Sequence, residues 1–158
     1  MTTITLDPED VFEARSIAER RNDKPQSCNR RFDIGHGDLE IHYMSALAEV
    51  AWAKYTGWAI DSAIKYGDGG VDFEANGRTY QVKARDIERY AKPDLLCRLG
   101  HAQADRFILA EVNLNDPYNI TFVGWCSRDE LMETTINIRG KGLRYIRKRS
   151  LLRAVPGV

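Results

Sequence analysis

Asn76-Gly77, set between two runs of alternating residues, constrains this chain more than any other feature. Before it, Val71, Phe73 and Ala75 alternate with Asp72 and Glu74; after it, Tyr80, Val82 and Ala84 alternate with Thr79, Gln81 and Lys83. An Asn-Gly pair tolerates the positive φ angles of a two-residue hairpin turn and so pins the register of both strands. Ala75 then faces Arg78, Phe73 faces Tyr80 and Asp72 faces Gln81. Lys83 falls diagonally across from Asp72, at a Cβ separation of roughly 7–8 Å. One face of the hairpin is apolar and packs inward, while the other gathers a carboxylate, an amide and an ammonium.

The flanking sequence supplies the remaining elements. Asp7 is placed as an N-cap and Pro8 as the first helical residue of a helix over residues 7–21, with Val11, Phe12, Ala14, Ile17 and Ala18 on one stripe. Residues 22–37 are polar and rich in turn formers, which predicts a loop. Asp38 should cap a second helix that ends at Gly57, with Ile41, Met44, Leu47, Ala48, Ala51 and Tyr55 facing inward. Glu49 lies at the edge of that stripe. Strands are expected at 106–113 and 119–126, separated by Asn115-Asp116-Pro117, with a short one near 94–97 and a short helix after Ser127. The order predicts one α/β (α+β) domain spanning 1–158: an N-terminal helix and loop (1–37), a core (38–126) with a mixed central sheet flanked by helices, and a short helix with a basic C-terminal segment (127–158).

Composition narrows the functional classes. The chain has 158 residues, 43% of them hydrophobic, which is globular rather than disordered. Cys28, Cys97 and Cys126 form no CxxC pair and, being odd in number, no disulfide framework. The polar N-terminus shows no secretory h-region, and no apolar run reaches the roughly 18–20 residues of a membrane span. The expectation is a cytoplasmic protein that does not enter membranes. His36, His42 and His101 lack metal-ligand spacing, Asp68 reads as a turn residue, Glu74 sits nearer the hairpin turn than Asp72, and Trp52, Trp58 and Trp125 read as core or rim packing.

The polar patch of the hairpin suits phosphodiester hydrolysis. Mg²⁺ takes one or two carboxylates, retained waters and substrate phosphate oxygens. Asp72 could supply such a set with Glu49 and either the Gln81 amide oxygen or the Val82 carbonyl. Lys83 would stabilise charge developing on the phosphate or orient an attacking water. The bland alternative is a solvated sheet face whose alternation reflects amphipathicity alone.

Glu49 on a helix, then Gly-Val-Asp72, then Gln81-Val-Lys83 on the next strand, resembles the PD-(D/E)XK nuclease superfamily, whose restriction-endonuclease-like fold includes Holliday junction resolvases and phage-encoded nucleases. The resemblance covers roughly residues 38–126. It implies a Mg²⁺-dependent deoxyribonuclease, with Mn²⁺ as a substitute metal. Asp72, Gln81 and Glu49 would be metal ligands, and Asp72, Gln81, Lys83 and Glu49 the catalytic set. Gln81 stands where the motif usually has a second acidic residue, which removes one negative charge from the site. That departure leaves open weaker metal affinity or a catalytically lapsed DNA- or protein-binding module; a separate alternative is a nuclease directed at Holliday junctions or RNA.

The formal charge of zero conceals a segregation. Residues 139–158 hold 7 basic and no acidic side chains, so the preceding body is acidic. Such asymmetry hints at a polyanionic partner. Arg144, Arg147, Lys148 and Arg149, with Arg85 just past the hairpin, would lie along the backbone of double-stranded or branched DNA, with Arg89 extending that rim and Arg20, Arg21, Arg30 and Arg31 on the other flank. A homodimer would suit cleavage of both strands. The competing reading is a solvated basic face that offsets the acidic body.

Overall fold

The computed structural model describes residues 1–23, 38–60 and 70–156. Cys28, Arg30, Arg31, His36, Asp68, most of the expected 22–37 loop and the side chain of Asp38, expected as a cap, lie outside the described residues.

A short strand, β1 (Thr2–Thr5), leads into α1 (Pro8–Asn22). The start of α1 is dictated locally: Asp10 N–H donates to Asp7 Oδ1 at 3.1 Å and Asp7 N–H donates to Asp10 Oδ2 at 2.9 Å, a reciprocal capping box followed by Pro8. The helix α2 (Asp38–Thr56) stops at Gly57, whose φ is +76° and whose N–H donates to the Ala53 carbonyl at 2.8 Å. Lys54 of α2 reaches the carboxylates of Asp7 and Asp10 and ties the second helix to the cap of the first.

The hairpin forms as its turn requires. β2 (Phe73–Ala75) and β3 (Arg78–Asp86) are joined by Asn76 at φ 53° and Gly77 at φ 71°, the positive pair of a type I′ turn. Phe73 pairs with Tyr80, Glu74 with Thr79 and Ala75 with Arg78. β3 runs parallel to β5 (Arg106–Val112), and β5 is antiparallel to β6 (Asn119–Ser127), which β1 joins at the far edge. The resulting five-stranded mixed sheet has the order β1-β6-β5-β3-β2. Ser127 caps α3 (Arg128–Met132) through the Glu130 N–H. The fold class is the mixed α/β arrangement expected.

Both faces of this sheet are covered, by different layers. On one, α1 and α2 bring Ala14, Ile17, Leu47 and Ala51 against Tyr80, Val82, Ile108 and Phe122. On the other, Phe107, Leu109 and Cys126 pack against Leu95, Cys97 and Leu131. Burial, aided by the charge of Glu130, pushes the Cys126 thiol up to about 12, so it behaves as an inert apolar group.

Two features depart from the sequence expectation. β1 was not anticipated, because four residues of Thr-Thr-Ile-Thr become a strand only through the edge that β6 offers. The basic C-terminal segment is largely a second sheet: β7 (Thr135–Ile138) and β8 (Gly142–Arg147) form a hairpin, and β4 (Leu95–Arg98) pairs with β8 in the order β4-β8-β7. Beyond a short 3-10 turn, Arg153 bridges back to Trp125. Among the described residues no helix is long and apolar enough to cross a membrane.

Candidate functional site

Strand alternation sorts the residues of β3. Tyr80 and Val82 belong to the core under the helices, with Ala84 packed against it. Gln81 and Lys83 therefore project to the opposite face, toward β4 and β8. The charges of Lys83 and Arg144 act on the Cys97 thiol from this side, although burial outweighs them and raises its pKa.

Asp72 does not sit in a simple pair with Gln81. The ladder ends at Phe73, and Asp72 instead spans the neighbours of Gln81: its N–H donates to the Tyr80 carbonyl at 2.8 Å and its Oδ2 accepts from the Val82 N–H at 2.7 Å. The carboxylate is thus fixed on the β3 edge at the level of Gln81. A carboxylate that accepts a backbone N–H is held in one orientation.

Gln81 is 7% exposed, and its Oε1 is buried with no hydrogen-bond donor among the described residues. An unmatched buried carbonyl costs about 1–3 kcal/mol, so this oxygen is a site where a donor or cation would be stabilised. Gly70 closes over it. A Cβ there would lie 2.6 Å from Gln81 Nε2 and 2.7 Å from the His101 carbonyl, and the φ of +78° already disfavours a side chain. Gly70→Ala should cost about 2 kcal/mol or more, measured as a lowered urea midpoint, with a larger loss than at Gly77→Ala, where the added Cβ meets nothing within 4 Å. Equal losses at the two positions would show that the packing over Gln81 contributes nothing beyond φ.

Lys83 is half-buried and forms no ion pair or hydrogen bond among the described residues. It shares a face of β3 with Gln81, and its charge reaches Cys97 of β4. Glu49 is elsewhere. It is 4% exposed, rides on the helix layer that covers the other face of the sheet, and is gripped by Arg21 through two hydrogen bonds of 2.8 Å each. A bidentate guanidinium satisfies both carboxylate oxygens. The structure therefore anchors Asp72 beside Gln81 on the β3 edge, places Lys83 on the same face of β3 as Gln81, and engages Glu49 with α1 instead. Among the described residues no group of three or more His, Cys, Asp and Glu side chains could hold a metal ion.

Arg147, Arg149 and Arg153 of the basic segment are paired with carboxylates within the molecule. Arg147 pairs with Glu133 at 3.0 Å, Arg149 with Glu111, and Arg153 with Glu130, while the Arg149 N–H donates to Asp94 at 2.8 Å. Arg144 donates to the carbonyls of Lys141 and Leu143, Lys148 is exposed, and Arg85 stacks on Tyr90 at 4.6 Å. Of the cations expected to face DNA, Arg147 and Arg149 are thus held by acidic groups of the body. The local run of charge carried no sign of this, because the partners lie 14 and 38 residues away. Sequence reasoning also missed Cys97 as a neighbour of Lys83, and Arg21 as the partner of Glu49. Comparison with known protein families, curated proteins and solved structures finds no match for this chain.

Proposed function

We propose that the chain is a metal-dependent nuclease of the PD-(D/E)XK type that hydrolyses DNA phosphodiester bonds at the Asp72–Gln81–Lys83 patch. The observation that carries this reading is the buried, unmatched Gln81 Oε1, beside an oriented carboxylate and an ammonium with no counterion. A divalent cation would rest on Asp72 and the Gln81 oxygen, with phosphate and water oxygens completing its shell, which is a donor set that Mg²⁺ accepts. Bound there, Mg²⁺ or Mn²⁺ would polarise a phosphate oxygen and acidify a bound water. Lys83 would neutralise the charge that builds on the phosphate in the transition state. Arg85, Arg144, whose charge acts with that of Lys83 on Cys97, and the exposed Lys148 would hold the flanking backbone. Buried free thiols at Cys97 and Cys126 suit a reducing, cytoplasmic setting, and a homodimer would place two such sites on opposite strands.

Incubation with supercoiled, linear and branched DNA should give cleavage in Mg²⁺ or Mn²⁺ and none in EDTA. Cleavage that persists in EDTA would rule the metal out of the reaction. A second reading is favoured by one observation: with Glu49 closed by Arg21, Asp72 is the one carboxylate left to the patch among the described residues it was expected to use. A nuclease-fold module that binds nucleic acid or protein without cutting it would show salt-sensitive binding that survives Asp72→Ala, and no cleavage of DNA or RNA with any metal.

A further inference from the structure

On the helix-covered face, away from the Gln81–Lys83 patch, lies a cleft of about 340 Å³ walled by Trp52, Tyr55, Trp58, Tyr80 and Trp125. A volume near the lower end of small-molecule pockets suits one ring system with its substituents rather than an extended cofactor. Trp58 lies 4.8 Å from Tyr80 and 6.1 Å from Trp52 between ring centroids, so the walls are flat aromatic surfaces set at angles. Such walls favour a planar guest, because π-faces stack on any ring that enters.

Arg106 gives the cleft its polarity. Its guanidinium stands 4.3 Å over the Trp125 ring and 5.8 Å from that of Tyr80, and it makes no ion pair or hydrogen bond among the described residues. A stacked guanidinium is held flat while its in-plane N–H donors stay available. Among the described lining residues Arg106 carries the one charge and none is a carboxylate, so they offer a cationic guest no counterion. The site therefore asks for a planar ring that presents two adjacent acceptors to a guanidinium fork. Guanine, with O6 and N7 side by side, is the base that an arginine reads in this way.

We propose that this cleft binds a guanine base, stacked on the tryptophan and tyrosine walls and read by Arg106. The proposal does not rest on the nuclease reading, since the two sites lie on opposite faces of the sheet. Its source would be either a free guanine nucleotide or an unpaired guanine in a strand.

All three tryptophans of the chain line the cleft, so intrinsic fluorescence reports its occupancy. Titration with guanosine, GMP, cytidine and adenosine should give saturable quenching, tightest with the guanine compounds. Replacing guanosine by 7-deazaguanosine, which lacks one acceptor, should weaken binding by about tenfold in the unaltered protein. Arg106→Lys should weaken guanosine to a similar degree and leave adenosine unchanged, and Lys83→Ala should alter neither. A short single strand with one guanine that binds more tightly than GMP would identify a strand as the source; equal affinity would identify the free nucleotide. The absence of saturable quenching, equal affinity for all bases, or equal binding of guanosine and its 7-deaza analogue would overturn the proposal, and the last two need no variant to fold.

Discussion

Lys83→Ala should lower the rate of DNA cleavage by about 10²–10³-fold, the typical loss when one electrostatic stabiliser of a developing anion is removed, with little change in thermal stability. The two halves of this expectation come from the same fact. Lys83 is half-buried yet has no ion pair or hydrogen bond among the described residues, so folding gains little from its charge and the charge remains available to a substrate. Lys83→Arg should recover part of the rate, because it restores the cation with a different shape, whereas Lys83→Met should recover none. Single-turnover cleavage of one labelled duplex, with the unfolding temperature measured on the same preparations, separates chemistry from folding. Unchanged cleavage in Lys83→Ala would remove the nuclease assignment of this patch. Gln81→Glu probes the other side of the same argument: a second carboxylate beside Asp72 should lower the Mg²⁺ concentration needed for half-maximal rate, and destabilise the metal-free protein through like-charge repulsion.

What could be read from the sequence was what is decided locally. The Asn76-Gly77 turn carries its own φ requirements, so hairpin, register and the grouping of Gln81 with Lys83 follow from a few adjacent residues. The same holds for α1, where Asp7, Pro8 and Asp10 suffice to start a helix. β1, β7 and β8 are different. Their residues have weak patterns: β1 is a strand because β6 offers it an edge, β8 because β4 does, and β7 because β8 does in turn. The C-terminal run of cations looked like a surface for an external polyanion because only one half of each interaction lies in that run. Glu111, Glu130 and Glu133 supply the other half, brought near by the sheet and by α3. Charge segregation along a chain thus need not imply charge segregation in space. Asp72 shows the limit of register arithmetic at a strand end, where a side chain can take over from the ladder and bond the next backbone N–H itself.

Glu49 tests how far a motif position carries a role. Arg21→Ala would leave its carboxylate buried without this guanidinium, and removal of one partner of a buried pair costs about 3–5 kcal/mol. The Arg21 side chain is 21% exposed against 5% for Glu49, so water can partly replace it, and a loss of about 2–3 kcal/mol is expected. In a domain of this size that lowers the unfolding temperature by about 5–10 °C. Replacing both partners at once, as Arg21→Met with Glu49→Leu, removes the charge and its need for a partner together, and should return stability to within about 1 kcal/mol of the parent. That double variant decides the role of Glu49. Because its carboxylate is spent on α1, on the face of the sheet away from Gln81 and Lys83, cleavage should persist in the refolded double variant at a rate within a few fold of the parent. A double variant that is stable but inactive would mean that Glu49 leaves Arg21 during turnover and supplies the second negative charge that Gln81 withholds.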